Sequence, residues 1–375
     1  MNTYDVAAYY YPAYHADSRS ESWHGKGWTE WDLLRTARPR FKGHAQPKVP
    51  LWGYEDEALP SVMEKKIAAA ADHALSAWIF DWYWYEDGQH LHRCLDEGFL
   101  NAPNRDRMKF AIMWANHDMI DIHPAKRSTP GKLLIPGEVS EKAFVAATDH
   151  CIRRYFNQPN YWRMKGGLYF SIYEVMRMVK GLGGVDATRR IFDQFRDRVR
   201  KAGCGELHLN AVLWGIQILP SEQTIKDPNR LMDALGFDSI SSYVWVHHQG
   251  FPKFPETPYS DIRERSVADW KKFRAQYQKP YYPNVTMGWD ASPRTTQSDP
   301  FEPVGYPFMA MMSNNTPQEF ETALRQAKAF LDEGRTDPKI VSINAWNEWT
   351  EGSYLEPDTV HGMAYLEAIR RVFGK

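Results

Sequence analysis

Residues 340–358 read IVSINAWNEWTEGSYLEPD. The first seven, up to Trp346, are mostly apolar and rich in β-branched residues, the composition of a buried strand. The character then changes at once: Asn347, Glu348, Trp349, Thr350, Glu351 and Gly352 combine carboxylates, rings and a turn residue, as a loop leaving a strand end does. The same two-part form recurs along the chain. Strand-like runs at 6–11, 77–84, 109–116, 168–173, 207–214, 239–245 and 281–288 come before it, each opening into polar and aromatic residues. Between them the sequence predicts helices at 59–74, 140–156, 185–202, 260–278 and 316–333, weaker ones near 89–99 and 229–235, and a last one at 362–373. Thr316-Pro317-Gln318-Glu319 supplies a cap residue, a first-turn proline and an early acid, whereas Ser140 with Ala143 is half of a capping pattern. Eight βα units without an internal linker make this an α/β chain with a parallel sheet. At 375 residues they predict one closed (β/α)8 barrel of TIM type spanning 1–375. The first βα loop, 12 to about 60, and the seventh, 288–317, are enlarged. A doubly wound sheet fits less well, because Tyr9-Tyr10-Tyr11-Pro12 stands where a G-x-G-x-x-G would follow the first strand.

Composition narrows the function. Hydrophobic residues at 43% and charged residues at 25% describe an ordinary globule with a core to bury. Lys+Arg 46 against Asp+Glu 47 leaves a net charge of -1, without the basic excess that phosphate-backbone binding needs, so nucleic acid is not an expected partner. No run approaches the length of a membrane span, and the start lacks a basic segment followed by an apolar one. A cytoplasmic location is expected for the chain as it stands, or a periplasmic or secreted one if a leader has been removed. Cys94, Cys151 and Cys204 are too few and too scattered for a disulfide framework or a zinc site, and no other spacing gathers metal ligands. Neither metal nor organic cofactor is expected. The aromatic content is high, with Trp 15, Tyr 20 and Phe 18, and ring faces are what sugar faces stack on. Trp78 and Trp270, in mid-strand and mid-helix, read as core.

In a barrel of this kind the reactive groups project from the carboxyl ends of the strands. Those ends carry Tyr10 and Tyr11; Asp81, Trp82 and Tyr83; Asn116 and His117; Tyr173 and Glu174; Tyr243; Trp289, Asp290 and Arg294; and Trp346, Asn347, Glu348 and Glu351. Carboxylates among rings suit glycoside cleavage better than acyl or phosphoryl transfer, and no G-x-S-x-G, H-E-x-x-H or P-loop competes. Glu348 and Glu351 are three apart. An extended strand would put them on opposite faces, but a turn leaving the barrel lets both enter one pocket and divide the roles of proton donor and ionised partner. Tyr10, Asp81, Asn116, His117, Glu174, Tyr243 and Asn347 are expected to bind the sugar, or in the case of Glu174 to orient a group that does. Trp82, Trp289 and Trp346 are expected to line the pocket.

Trp23-His24-Gly25-Lys26-Gly27-Trp28-Thr29-Glu30-Trp31 and Asn344-Ala345-Trp346-Asn347-Glu348-Trp349-Thr350-Glu351-Gly352, with Tyr354-Leu355-Glu356-Pro357 after them, resemble the WbsX-like family of polysaccharide-associated proteins. That family is related to family 99 of the glycoside hydrolases, the endo-α-mannosidases. The resemblance covers the whole chain, through Arg38-Pro39 and Gly43-His44 with Gln46-Pro47, and it implies the same barrel. It also implies that Trp28 and Glu30 reach over the pocket from the first loop, and that Glu348 and Glu351 form the acidic pair of a retaining enzyme. On that pattern Glu348 deprotonates the sugar's own 2-hydroxyl, which attacks the anomeric carbon, and Glu351 protonates the leaving oxygen. Direct attack by a carboxylate through a glycosyl-enzyme is the alternative. Members of the group have also been labelled glycosyltransferases, which makes a transferase of polysaccharide biosynthesis the second reading and a catalytically inactive, sugar-binding barrel the third. A pure binder has no use for two carboxylates at one anomeric carbon.

Overall fold

The computed structural model describes residues 4–334 and 336–374; of the predicted span 1–375, positions 1–3, 335 and 375 lie outside the described residues. Nine parallel segments form the central sheet: β1 (Tyr4–Tyr10), β2 (Ala77–Tyr85), β3 (Lys109–Trp114), β4 (Gly167–Ile172), β5 (Glu206–Val212), β6 (Ser239–Ser241), β7 (Tyr281–Tyr282), β8 (Asn284–Thr286) and β9 (Lys339–Asn344). Neighbours pair in sequence order from β1 to β7, β8 pairs with β9, and β9 returns to β1, with Val6 opposite Val341. Only Pro283 separates β7 from β8. A proline has no N–H to give the ladder, so the predicted seventh strand breaks into two halves, one bonded to β6 and the other to β9. The ring is therefore an eight-unit (β/α)8 barrel closed through a strand that is split at Pro283.

The outer layer comprises α3 (Pro60–Asp72), α4 (Glu141–Arg154), α5 (Val175–Gly181), α6 (Val185–Lys201), α7 (Pro228–Leu235), α8 (Tyr259–Gln276), α9 (Pro317–Glu333) and α10 (Ala364–Phe373), while α1 (Ser18–His24) and α2 (Trp31–Thr36) lie in the first loop. Thr316 caps α9 by accepting from the Glu319 N–H at 3.3 Å, and Ser140 caps α4 from Ala143 at 3.2 Å. Two sequence-based expectations need correction. The helix near 89–99 is a single wide turn, Cys94–Gly98, followed by a tight one, Phe99–Asn101. Here Gly98 lies so close to the backbone carbonyl of Glu57 that a Cβ would come within 2.1 Å of it. The strand at 239–245 stops at Ser241, because Trp245 turns inward. Its N–H donates to Thr286 Oγ1 at 2.9 Å and its indole to the Asn284 carbonyl at 2.8 Å.

Apolar residues fill the layer between sheet and helices, Trp78 and Trp270 among them. Inside the barrel, small polar groups satisfy one another: Ser171 and Ser241 both donate to Asn210 Oδ1 at 2.9 Å, and Asn284 donates to Ser342 at 3.2 Å. Above this plug the strand ends are free to form a site. Among the described residues no helix is long and apolar enough to cross a membrane.

Candidate active site

Beyond β9 the chain makes a tight hairpin. Asn347–Glu348 pairs antiparallel with Ser353–Tyr354 around a single turn, Trp349–Glu351. Gly352 closes it in the left-handed region, φ 65°, where a Cβ would meet Asp290 at 2.7 Å. The turn does what an extended strand cannot: Glu348 and Glu351 both face one pocket of about 90 Å³ at the carboxyl end of the barrel.

The other motif residues point away from that pocket. Trp346 and Trp349 donate their indole N–H groups to the two oxygens of Glu356, at 2.8 and 2.7 Å. Asn347 is clamped to the Tyr11 backbone through both ends of its amide and donates to Glu57 Oε1 at 2.8 Å. Tyr10 donates to the same oxygen at 2.8 Å. Between the two glutamates lies Lys66, 2.7 Å from Glu57 and 2.6 Å from Glu356, wholly buried. Tyr10, Trp346 and Asn347, expected to touch sugar, thus hold the hairpin from beneath, because their polar groups are consumed by this network. A second brace comes from the first loop. His44 and Gln46 bond the Asp290 carboxyl at 2.9 and 2.7 Å, and the Asp290 N–H donates to the Glu351 carbonyl at 2.6 Å. Burial raises the Asp290 carboxyl, but these donors and Ser292 bring it down to about 2.

Arg294 is the electrostatic centre. Its Nη1 donates to Glu351 Oε1 and to the Tyr306 hydroxyl. Its Nη2 lies 3.2 Å from Glu30 and 3.5 Å from Glu348, and its Nε donates to Thr350 at 3.0 Å. One guanidinium therefore serves three buried carboxylates. Glu30 wins the charge. Burial pushes it up, but Arg294, His123, Thr350 and Tyr11 together hold it below the usual carboxylate range. With that pair neutralised, burial and mutual repulsion push Glu348 well above its ordinary range, and burial pushes Glu351 up as well. Tyr306 donates to Glu351 Oε1 at 2.5 Å, and Glu351 Oε2 has no partner among the described residues. Tyr243 donates within a cluster that reaches Glu348 Oε1 and Asp81 Oδ2, both at 2.8 Å.

Asp81, His117, Tyr243 and Trp289 line the pocket as expected, and Glu30 reaches its rim through Arg294. Four more of the expected residues are placed elsewhere. Trp82 packs outward between Trp84 and Trp114 at ring distances of 5.4 and 5.6 Å, so it belongs to the core. Trp28 stacks on His24 at 4.2 Å and lines a side cleft that shares Tyr11, Met119 and His123 with the pocket. Asn116 and Glu174 are clamped to one another by two bonds, of 2.8 and 2.9 Å, that tie the ends of β3 and β4. Burial lifts the Glu174 carboxyl to about 8. Sequence reasoning assigned no role to Arg294, though it stood at a strand end, and passed over His123, Glu222, His247 and Tyr306, which lie within long loops that no periodicity marks. Glu222 accepts from the Ile218 and Leu219 N–H groups at 3.1 and 2.7 Å and faces the pocket beside Tyr173 and His247. Among the described residues no three His, Cys, Asp or Glu side chains are grouped as a metal site.

A barrel with this rim has the fold of glycoside hydrolases. It superposes on the GH99 endo-α-mannosidase from Bacteroides thetaiotaomicron with a TM-score of 0.58 at 14% identity, covering 98% of this chain and 96% of that one. It superposes on a glycoside hydrolase-like protein with a TM-score of 0.65 at 16% identity, covering 100% and 95%. Residues 6–369 match the family described as Glycosyltransferase WbsX, and the chain belongs to that family. The chain thus joins the fold of glycoside hydrolases to membership of a family described as glycosyltransferases. Relatives described as "Uncharacterized protein WxcX", from two strains of Xanthomonas campestris pv. campestris, are 27% identical over 385 residues. The match takes in 98% of this chain and 49% of theirs, so the chain spans about half the length of these relatives.

The buried network predicts that Lys66→Met, which strands Glu57 and Glu356 without a cation, lowers the urea-unfolding free energy by roughly 3–5 kcal/mol. A second expectation follows from Glu222, whose carboxyl burial lifts to about 8. A carboxyl raised in the folded state keeps its proton while the unfolded chain loses it. Its contribution is therefore nil below the unfolded value near 4.5 and grows steadily more destabilising up to about pH 8. Glu222→Gln should gain stability over the parent by roughly 3 kcal/mol between pH 5 and pH 8, as read from unfolding curves at the two pH values.

Proposed function

We propose that this chain is a retaining glycoside hydrolase acting on a neutral polysaccharide or oligosaccharide, with the whole barrel as one catalytic unit and Glu348 and Glu351 as its reacting carboxyls. The observation that carries this reading is that both carboxyls enter one pocket on opposite arms of a single guanidinium, with burial favouring a proton on the pair. Binding to one guanidinium favours the closer carboxyl spacing of retaining enzymes over the wider one that leaves room for a water. Part of what raises Glu348 is repulsion from an ionised Glu351; with the pair's proton on Glu351 that repulsion is gone, and Glu348, with a donor on each oxygen, Tyr243 and Arg294, suits the carboxylate that drives attack at the anomeric carbon. Glu351 has both its donors on Oε1, which leaves Oε2 to carry and deliver a proton to the leaving oxygen. Trp289 and Tyr173 supply ring surface, and Asp81, His117 and Tyr243 supply hydrogen-bonding groups for the sugar.

The family's description favours a second reading, transfer from a nucleotide sugar. The lining of the pocket speaks against it. Its arginine, Arg294, is already committed to three carboxylates, and no lysine is among the described residues that line it. A diphosphate would find no free cation to cradle it there. The same shortage of cations disfavours uronic acids and other anionic sugars.

Glu351→Gln should retain more activity on aryl glycosides than Glu348→Gln does, because an activated phenol leaves without protonation. Glu348→Gln should lose on the order of 10²–10⁴-fold on every substrate. If both variants release sugar like the parent, the pair is not the reacting centre, and the opposite ranking exchanges their roles. Treatment with EDTA should leave sugar release unchanged; a loss restored by added divalent metal would revive the transferase reading.

A further inference from the structure

The Tyr243 hydroxyl lies 2.8 Å from Asp81 Oδ2 and 2.8 Å from Glu348 Oε1. Each contact is a normal hydrogen-bond distance and each needs a proton, but a phenol has one to give. The other must sit on a carboxyl. Glu348 has Arg294 Nη2 at 3.5 Å to favour its charge. Asp81 has no cation within ion-pair distance among the described residues, and its Oδ1 is buried with no partner at all. Its surroundings offer no charge to replace one. Tyr9 from β1, Tyr83 from β2, Tyr173 beyond β4 and Tyr243 beyond β6 are all phenols whose burial keeps them protonated, and the groups facing it from beyond β9 are Glu348 and Glu351. Arg294, the cation of the pocket, is bonded to those glutamates and makes no ion pair with Asp81. An ionised Asp81 would leave one oxygen of a buried carboxylate unsolvated, the costlier of the two arrangements.

We infer that Asp81 is a neutral carboxylic acid which donates to Tyr243, so that Tyr243 turns its own proton to Glu348 and fixes the charge there. Asp81 is then a positioning residue acting through Tyr243 and not a second anion beside the reacting pair. A hydroxyl that accepts one hydrogen bond while donating another is polarised into a better donor, which steadies the Glu348 carboxylate at the anomeric carbon. A negative Asp81 would do the reverse by repelling it. The role in catalysis rests on the reading of Glu348 as a reacting carboxyl; the location of the proton does not.

Infrared difference spectra at pH 7 test the location directly. Parent minus Asp81→Asn should show the loss of one protonated-carboxyl stretch, and parent minus Glu348→Gln should show none, while Glu174 and Glu222 cancel in both. A band lost only in Glu348→Gln, or in neither variant, overturns the inference. Should Asp81→Asn fail to fold, Tyr243→Phe serves instead. The same band should then shift to that of an unbonded carboxyl, and an unchanged spectrum overturns the inference. The role is read from the pH dependence of kcat/KM. The acidic limb should move by less than about half a pH unit in Asp81→Asn and rise by about one unit or more in Tyr243→Phe. A fall of about one unit or more in Asp81→Asn would mark an ionised Asp81. If Glu348→Gln and Glu351→Gln release sugar normally, the catalytic reading fails while the infrared result stands apart.

Discussion

A lysine with no access to water, held between Glu57 and Glu356, is the constraint on which the site depends. Burying one ammonium and two carboxylates is costly, and donors to the carboxylate oxygens offset part of that cost. Tyr10, Asn347, Trp346 and Trp349 provide those donors to Glu57 Oε1 and to both oxygens of Glu356, while Glu57 Oε2 is buried without a partner among the described residues. Each also belongs to a segment that must be placed: the end of β1, the strand end beyond β9, and the hairpin itself. Satisfying the charge and positioning the hairpin are therefore the same act. The two glutamates that face the pocket share a backbone with three residues that cannot move without unpairing a buried charge.

Above that layer the balance is reversed. Beneath the hairpin two acids bracket one base; in the pocket three acids share Arg294, and two of them are left with burial and no full counter-charge. The paired carboxylates and the under-paired ones are separated by the number of cations available. Glu30, with Arg294, Thr350 and Tyr11 around it, behaves as a counter-ion, and that frees Glu348 and Glu351 to hold or release protons. The first loop supplies Glu30 on one side and His44 with Gln46 on the other, which explains its length: it braces both the cation and the loop that carries it.

Much of this was legible in the chain. Short apolar runs opening into polar, ring-bearing loops repeat often enough to define the barrel, since a parallel strand buried on both faces leaves that pattern whatever packs around it. The one break in that pattern, Pro283, is visible too, though its effect on the ring is not. The acidic pair stood out because carboxylates rarely accompany so many tryptophans in a solvated turn. Side-chain direction was harder to read. Tyr10, Trp82, Trp346 and Asn347 sit at or near strand ends like Asp81 and Trp289 do, yet the first four turn into the protein and the last two into the pocket.

By itself the sequence determined the alternation of strand and helix, the two enlarged loops and the residue types at the strand ends, because hydrophobic period and turn chemistry act over a few neighbouring residues. Only the tertiary structure decided which carboxylates keep company with a cation. Glu30 and Arg294 are 264 positions apart, and Lys66 and Glu356 are further apart still. Whether a glutamate is a counter-ion, a scaffold or a proton carrier depends on burial and on charges brought from distant loops, and neither quantity exists until the barrel has closed.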